Sequence, residues 1–141
     1  MERAFLSAVE HSRTIRERRA TSQELTELYV SRIRQHNPAL HAIVIGNETA
    51  ALQSARERDD DLRRDVVRGP LHGVPVTVKE AFNLTGLKTT VKFLQLKNNT
   101  ASRDAFAVTC LRDAGAVILG KTNIPTMLSD WQSFGPEFSW T

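Results

Sequence analysis

The sequence predicts an α/β fold, with N-terminal helices leading into part of a mixed, largely parallel sheet. Three observations carry that prediction. Residues 74–78 are β-branched or proline throughout, as a buried strand reads. Residues 116–119, Ala-Val-Ile-Leu, form a second continuous apolar run. Between them, Phe106, Ala107, Cys110, Leu111 and Ala114 are spaced to bury one side of a helix. Strand, connection with helix, strand is a crossover unit, and it predicts parallel neighbours in one sheet.

Each element has its own signal. A first helix is predicted from residue 5 to about 19. Thr21 and Glu24 form a capping box that opens a second helix, with Leu25, Leu28, Tyr29 and Ile33 on one face. Pro38 is predicted to end it. Residues 42–45 read as a short apolar strand. A third helix, from 49 to about 64, places Ala51, Leu52 and Ala55 inside and a charged face outside. Asp59, Asp60 and Asp61 on that helix point in different directions, so they read as a solvated face rather than a metal cluster. Residues 66–73 are linker. Asp104 is predicted to begin the crossover helix, and Gly115 to stand just past its end.

Composition narrows the function classes. A chain that is 40% hydrophobic and 25% charged is globular rather than disordered. Its 141 residues suffice for a core. The net charge of +3 comes with both signs interspersed. The densest basic cluster, Arg13, Arg16, Arg18 and Arg19, reads as a solvated helix end, so no nucleic-acid partner is predicted. No apolar run approaches about 20 residues, so no membrane-spanning helix is predicted. The N-terminus is too charged for a secretory leader. The single Cys110 reads as a small core residue and cannot form an internal disulfide, which fits a reducing, cytoplasmic setting. Glycosylation sequons at Asn47, Asn83 and Asn98 read as chance. His11, His36, His41 and His72 lack metal spacing and read as structural or solvated.

Chemistry concentrates at the exit of the first core strand. Gly73-Val74-Pro75 fixes the backbone, and the strand ends at Lys79. It is the first lysine of the chain, and arginine fills the earlier cationic positions. Lysine suits chemistry that arginine cannot do, because burial can make its neutral amine available as a base. The ends of strands in such sheets are where α/β enzymes place reactive groups. Lys121 leaves the same sheet edge after Gly120 and competes for the role.

The blocks 71–80, 86–90, 104–116 and 120–125, in this order, resemble the N-terminal part of the amidase signature family. The resemblance extends back over 21–42 and forward to Ser129-Asp130-Trp131-Gln132-Ser133, covering most of the chain. It implies a truncated amidase signature fold. Residues 1–141 would be the N-terminal portion of a single amidase domain, mainly helical over 1–65, with the strand-helix-strand core over 66–141 and the C-terminal remainder absent.

The implied activity is hydrolysis of amide carbon–nitrogen bonds by a Ser-cisSer-Lys triad, without cofactor or metal. Lys79 matches the catalytic lysine and is ranked above Lys121, which with Thr122 and Asn123 would shape the site. Met127 and Leu128 fall in a stretch that can line the acyl pocket, with plain core packing as the other reading. The Gly- and Ser-rich signature that carries both serines has no counterpart here, so the chain is expected to be inactive alone. Lys92 stands where the family usually has a small residue, which puts that loop's geometry in question. The implied partners are a small-molecule amide and either a second copy of the chain or a complementing C-terminal segment; no nucleic acid or membrane is expected. Two alternatives stay open. One is a fragment of the amide-cleaving component of a tRNA-dependent amidotransferase, although Trp131-Gln132-Ser133 leans toward a stand-alone amidase. The other is a non-catalytic remnant or interaction module that docks through its first three helices.

Overall fold

Two reciprocal capping boxes start the helical half. Ser7 with Glu10 opens α1 (Ala8–Arg16), and Thr21 with Glu24 opens α2 (Ser22–Leu40). In each, the hydroxyl accepts from the glutamate N–H and the carboxylate accepts from the cap residue's N–H. The computed structural model describes residues 3–133. α1 stops short of the predicted residue 19, because Arg18 takes a left-handed φ of 57°. The arginines near its end are exposed, as predicted, and two of them also make surface bonds: Arg16 donates to the Gly69 carbonyl and Arg18 to the Leu62 carbonyl and the Asp65 carboxylate.

α2 runs two residues past Pro38, which corrects the predicted stop. A proline in the last turn removes only one backbone donor there, and the helix closes instead on left-handed His41, φ 49°. The Asn37 side chain then pairs both ways with Ile43. Its Nδ2 donates to the Ile43 carbonyl and its Oδ1 accepts from the Ile43 N–H, both at 2.8 Å. That pairing aims the chain into β1 (Ile43–Gly46).

α3 (Glu48–Arg63) buries Ala51 and Ala55 with Val30 of α2 and with Val117 and Leu119. Small residues at those positions let the helix approach closely. The aspartate run is not simply solvated. Asp59 accepts from the Ser22 and Gln23 N–H groups at 2.7 and 3.0 Å, capping α2 from a neighbouring helix. Asp61 pairs with Arg68 at 2.5 Å and with Arg58 at 3.3 Å. Asp60 meets Arg63 on the more open side. No group of three or more His, Cys, Asp or Glu among the described residues could hold a metal ion.

The sheet joins β1, β2 (Pro75–Lys79) and β3 (Val117–Thr122) in the order β1-β3-β2. β3 runs antiparallel to β1 and parallel to β2. The mixed sheet with a parallel core pair is what the strand-helix-strand pattern predicts. Gly120 is required at the β1 contact, since a Cβ there would lie 2.5 Å from the Ile45 carbonyl oxygen. β3 is buried on both faces from Val117 to Lys121, but β2 is not: Thr77 and Lys79 are exposed. This corrects the expectation of two buried strands, because β2 is an edge strand among the described residues.

α4 (Phe106–Asp113) crosses between them. Its cap is Ala105, not Asp104. Asp104 turns back instead, accepting from the Thr85 N–H and hydroxyl at 2.7 Å each and pairing with Arg112. Gly115 does stand just past the helix, with φ 90°, and a Cβ there would lie 2.8 Å from the His72 Cα. Val108 is buried with Val78, Leu84 and Ile118, and Leu111 packs beside them. Phe106, Ala107 and Cys110 are exposed, which corrects their placement in the core. The helix is apolar on two sides and the sheet covers only one. No helix among the described residues is long and apolar enough to cross a membrane.

Candidate functional site

The parallel strands β2 and β3 deliver their C-terminal ends side by side, with Val78 opposite Lys121 and Lys79 opposite Thr122. The Glu80 N–H continues the pairing by one residue, donating to the Thr122 carbonyl at 3.1 Å. Neighbours along a strand point to opposite faces. Lys79 therefore faces outward and is exposed, while Glu80 faces inward and is fully buried.

Glu80 organises the inner side. Its carboxylate accepts from the Thr90 N–H at 2.6 Å, the Val91 N–H at 3.0 Å and the Thr90 hydroxyl at 3.3 Å. Lys121, also fully buried, donates to the Thr89 hydroxyl at 2.8 Å and to the Lys88 carbonyl. Lys92 is the third fully buried charged group, and it donates to the Ser133 carbonyl at 2.5 Å. Burial pushes both ammonium groups below the usual lysine range, and the Glu80 carboxylate partly opposes that. Lys121 is thus tied to the 88–92 loop.

The loop keeps a demanding backbone. Val91 and Lys92 have φ of 46° and 53°, so the Lys92 position does take the left-handed conformation that a small residue adopts most easily. The Val91 carbonyl accepts from the Met127 N–H at 2.7 Å. Met127 and Leu128 are left-handed as well, at 49° and 60°, and both side chains are exposed rather than packed in the core. Four left-handed residues other than glycine in two touching loops mark a site where the fold tolerates strain.

Lys79 stands in an apolar groove formed with Thr77, Val78, Phe82, Phe106, Cys110 and Leu111. Among the described residues its ammonium takes no hydrogen bond or ion pair. The structure thus separates the candidates: Met127 and Leu128 join the Glu80 cluster through the 90–92 loop, whereas Lys79 faces the groove. Sequence reasoning missed Glu80 and the two threonines. The adjacent Lys79-Glu80 at a strand end was the available signal, since such neighbours must serve opposite faces.

His72 is structural. Its Nδ1 accepts from the Arg68 N–H at 3.1 Å, so its Nε2–H donates to the Arg58 carbonyl at 3.0 Å. Burial holds it below the usual histidine range. His11 is likewise buried, with Nε2 2.8 Å from the Tyr29 hydroxyl.

The amidase family profile matches residues 24–136. Fatty-acid amide hydrolase 2-A of Danio rerio is 39% identical over 128 residues, covering 84% of this chain and 24% of that protein. A probable amidase of Arabidopsis thaliana is 40% identical over 120 residues, covering 84% and 23%. The glutamyl-tRNA(Gln) amidotransferase component of Cutibacterium acnes is 34% identical over 135 residues, covering 93% and 27%. Among solved structures, the native peptide amidase of Stenotrophomonas maltophilia superposes with a TM-score of 0.81 at 35% identity, over 89% of this chain and 26% of that one. The chain spans about a quarter of the length of the curated relatives it matches.

Proposed function

Because the chain belongs to the amidase signature family, we propose that it forms the lysine-bearing N-terminal part of a single amidase domain, one that hydrolyses the carbon–nitrogen bond of a small-molecule amide. The observation that carries this reading is Lys79: it ends the edge strand β2, lies in an apolar groove and, among the described residues, its ammonium makes no hydrogen bond or ion pair. Of the three lysines at the C-terminal ends of β2 and β3 and the loop over them, Lys92 and Lys121 are tied to the loop framework, which leaves Lys79 as the one placed to act as a base.

A serine hydroxyl is too weakly acidic to attack an amide unaided and needs a base within hydrogen-bond reach. The neutral Lys79 amine takes a proton from a bridging serine, which takes one from the nucleophilic serine as it attacks the amide carbonyl. Both serines, and the backbone donors that stabilise the oxyanion, come from a complementing C-terminal segment. Met127 and Leu128, exposed beside the loop, line the acyl side of the site. No cofactor takes part. The exposed thiol of Cys110 suits a reducing, cytoplasmic compartment.

A second reading is part of a tRNA-dependent amidotransferase, which the similarity over 93% of the chain favours. Residues 1–141 alone should show no saturable hydrolysis of aryl or aliphatic amides. Turnover should appear when the same sequence is joined to a segment carrying the Gly- and Ser-rich signature. Saturable turnover by the isolated chain that disappears in Lys79→Ala would overturn the division of labour, and glutamine-dependent amide transfer to a charged tRNA in the joined form would favour the second reading.

A further inference from the structure

Past Ile124, the segment that follows β3 makes several short-range bonds of its own. The Leu128 and Ser129 N–H groups donate to the Pro125 and Thr126 carbonyls, and the Trp131 N–H donates to the Asp130 carboxylate. Among the described residues, two ties from the 90–92 loop reach it. One is backbone, from the Met127 N–H to the Val91 carbonyl at 2.7 Å; the other is the Lys92 ammonium on the Ser133 carbonyl at 2.5 Å. The two ties bracket Met127 and Leu128.

Lys92 is an unusual choice for that task. Its backbone is left-handed, where a side chain is disfavoured, and its charge lies wholly out of water. Both features oppose folding, and glycine would remove both. The Lys92 N–H is anchored on the Thr90 hydroxyl at 3.1 Å, and that hydroxyl donates to the Glu80 carboxylate. The loop beneath the lysine is therefore fixed before its side chain reaches out.

We propose that Lys92 is a positioning residue whose buried ammonium staples the 127–133 segment to the ends of β2 and β3, setting where Met127 and Leu128 stand and so how large an acyl group the site admits. The clause about the acyl group rests on the amidase reading; the staple itself does not. A carbonyl bond from a buried cation is stronger than one between neutral groups, so its loss should free the segment locally.

Hydrogen–deuterium exchange on the full chain tests this with Lys92→Met, which keeps bulk without charge, and Lys92→Gly, which also relieves the left-handed backbone. Amide exchange over 127–133 is expected to rise about tenfold or more in both variants, while that of 117–122 stays within about twofold. In a Trp140→Phe background Trp131 is the single tryptophan, and its fluorescence anisotropy should fall in both. Unchanged exchange over 127–133 in the glycine variant would overturn the staple, because only strain would then have mattered. A rise spread evenly over the strands would overturn it too, by making Lys92 ordinary core. Neither readout uses turnover. A chain that never hydrolyses amides can keep its staple, and an active enzyme can lack one.

Discussion

At the C-terminal ends of β2 and β3, three charged side chains are taken fully out of water, while on the outer side of α4 Phe106 and Cys110 are left in it. The first region is closed: Glu80, Lys92 and Lys121 each have a hydrogen-bond partner within 2.8 Å, and the loop over them is pinned at several points. The second region is open, and it combines an apolar helix face with the edge of β2, which has no strand partner among the described residues. Lys79 belongs to the open region although it is adjacent in sequence to Glu80. The difference teaches that the buried charges belong to the scaffold, whereas the side on which the proposed base stands is the side left open. A charged residue built into the scaffold should matter for stability, and one on the open side should matter for chemistry.

The largest effect expected follows from that division. In a polypeptide that joins this sequence to the two serines, Lys79→Ala should lower amide turnover by about 10²- to 10⁴-fold, the range for losing a general base. Lys79→Arg should be nearly as damaging, because arginine stays protonated. Circular dichroism should show an unchanged fold, since Lys79 is exposed and its ammonium makes no bond among the described residues. Activity within a few-fold of wild type in both variants would remove Lys79 from the mechanism.

Glu80 should behave in the opposite way. Glu80→Ala strips the acceptor from two backbone N–H groups and the counter-charge from two buried lysines. Removing one partner from a buried charge network costs about 3–5 kcal/mol. Urea unfolding of the full chain measures it. A loss below about 1 kcal/mol would mean that water reaches the cluster and that the closed region is not closed.

The legibility of the two regions differs for a physical reason. The capping boxes, the parallel β2–β3 pair and Gly115 could all be read because each depends on local spacing. Lys79 could be placed at its strand end for the same reason. Glu80, Lys92 and Lys121 could not be read as one cluster, since the 88–92 loop meets β3 only through tertiary bonds across some thirty positions. Cys110 and Phe106 failed for the converse reason. Helical periodicity says which residues are apolar, but not which apolar side has something to pack on. The same limit applies to Asp59, whose spacing on α3 gives no hint that it caps α2.

A pH titration separates the scaffold from the open face more gently. Burial lowers the pKa of His72, and also that of His11, below the unfolded value near 6.5. His72 is faced by Arg58, Arg68 and Arg16, with Asp61 opposing them. As pH falls, the unfolded chain takes up the proton first. The stability from the neutral imidazoles is therefore complete above about 6.5 and lost below it. Urea midpoints should drop between about pH 7.5 and 5.5, a range in which ordinary carboxylates hardly titrate. A flat profile would show that both rings reach solvent before unfolding.

The smallest change in stability, and the sharpest contrast within one helix, is expected at α4. Val108→Asp buries a charge among Val78, Leu84 and Ile118 and should unfold the chain. Phe106→Asp, two residues earlier and 85% exposed, should alter unfolding free energy by no more than about 0.5 kcal/mol. Its effect should appear in association instead. An apolar groove beside an unpaired strand edge favours contact between copies, so the wild-type chain should self-associate and bind a hydrophobic dye. Phe106→Asp should weaken both, and Cys110 should react faster with thiol reagents once the copies separate. Sedimentation of the two proteins at matched concentration decides the matter. A wild-type chain that sediments as a monomer, binds no dye and melts cooperatively would mean that the face of α4 is stable in water as it stands, and the open region would then need no partner.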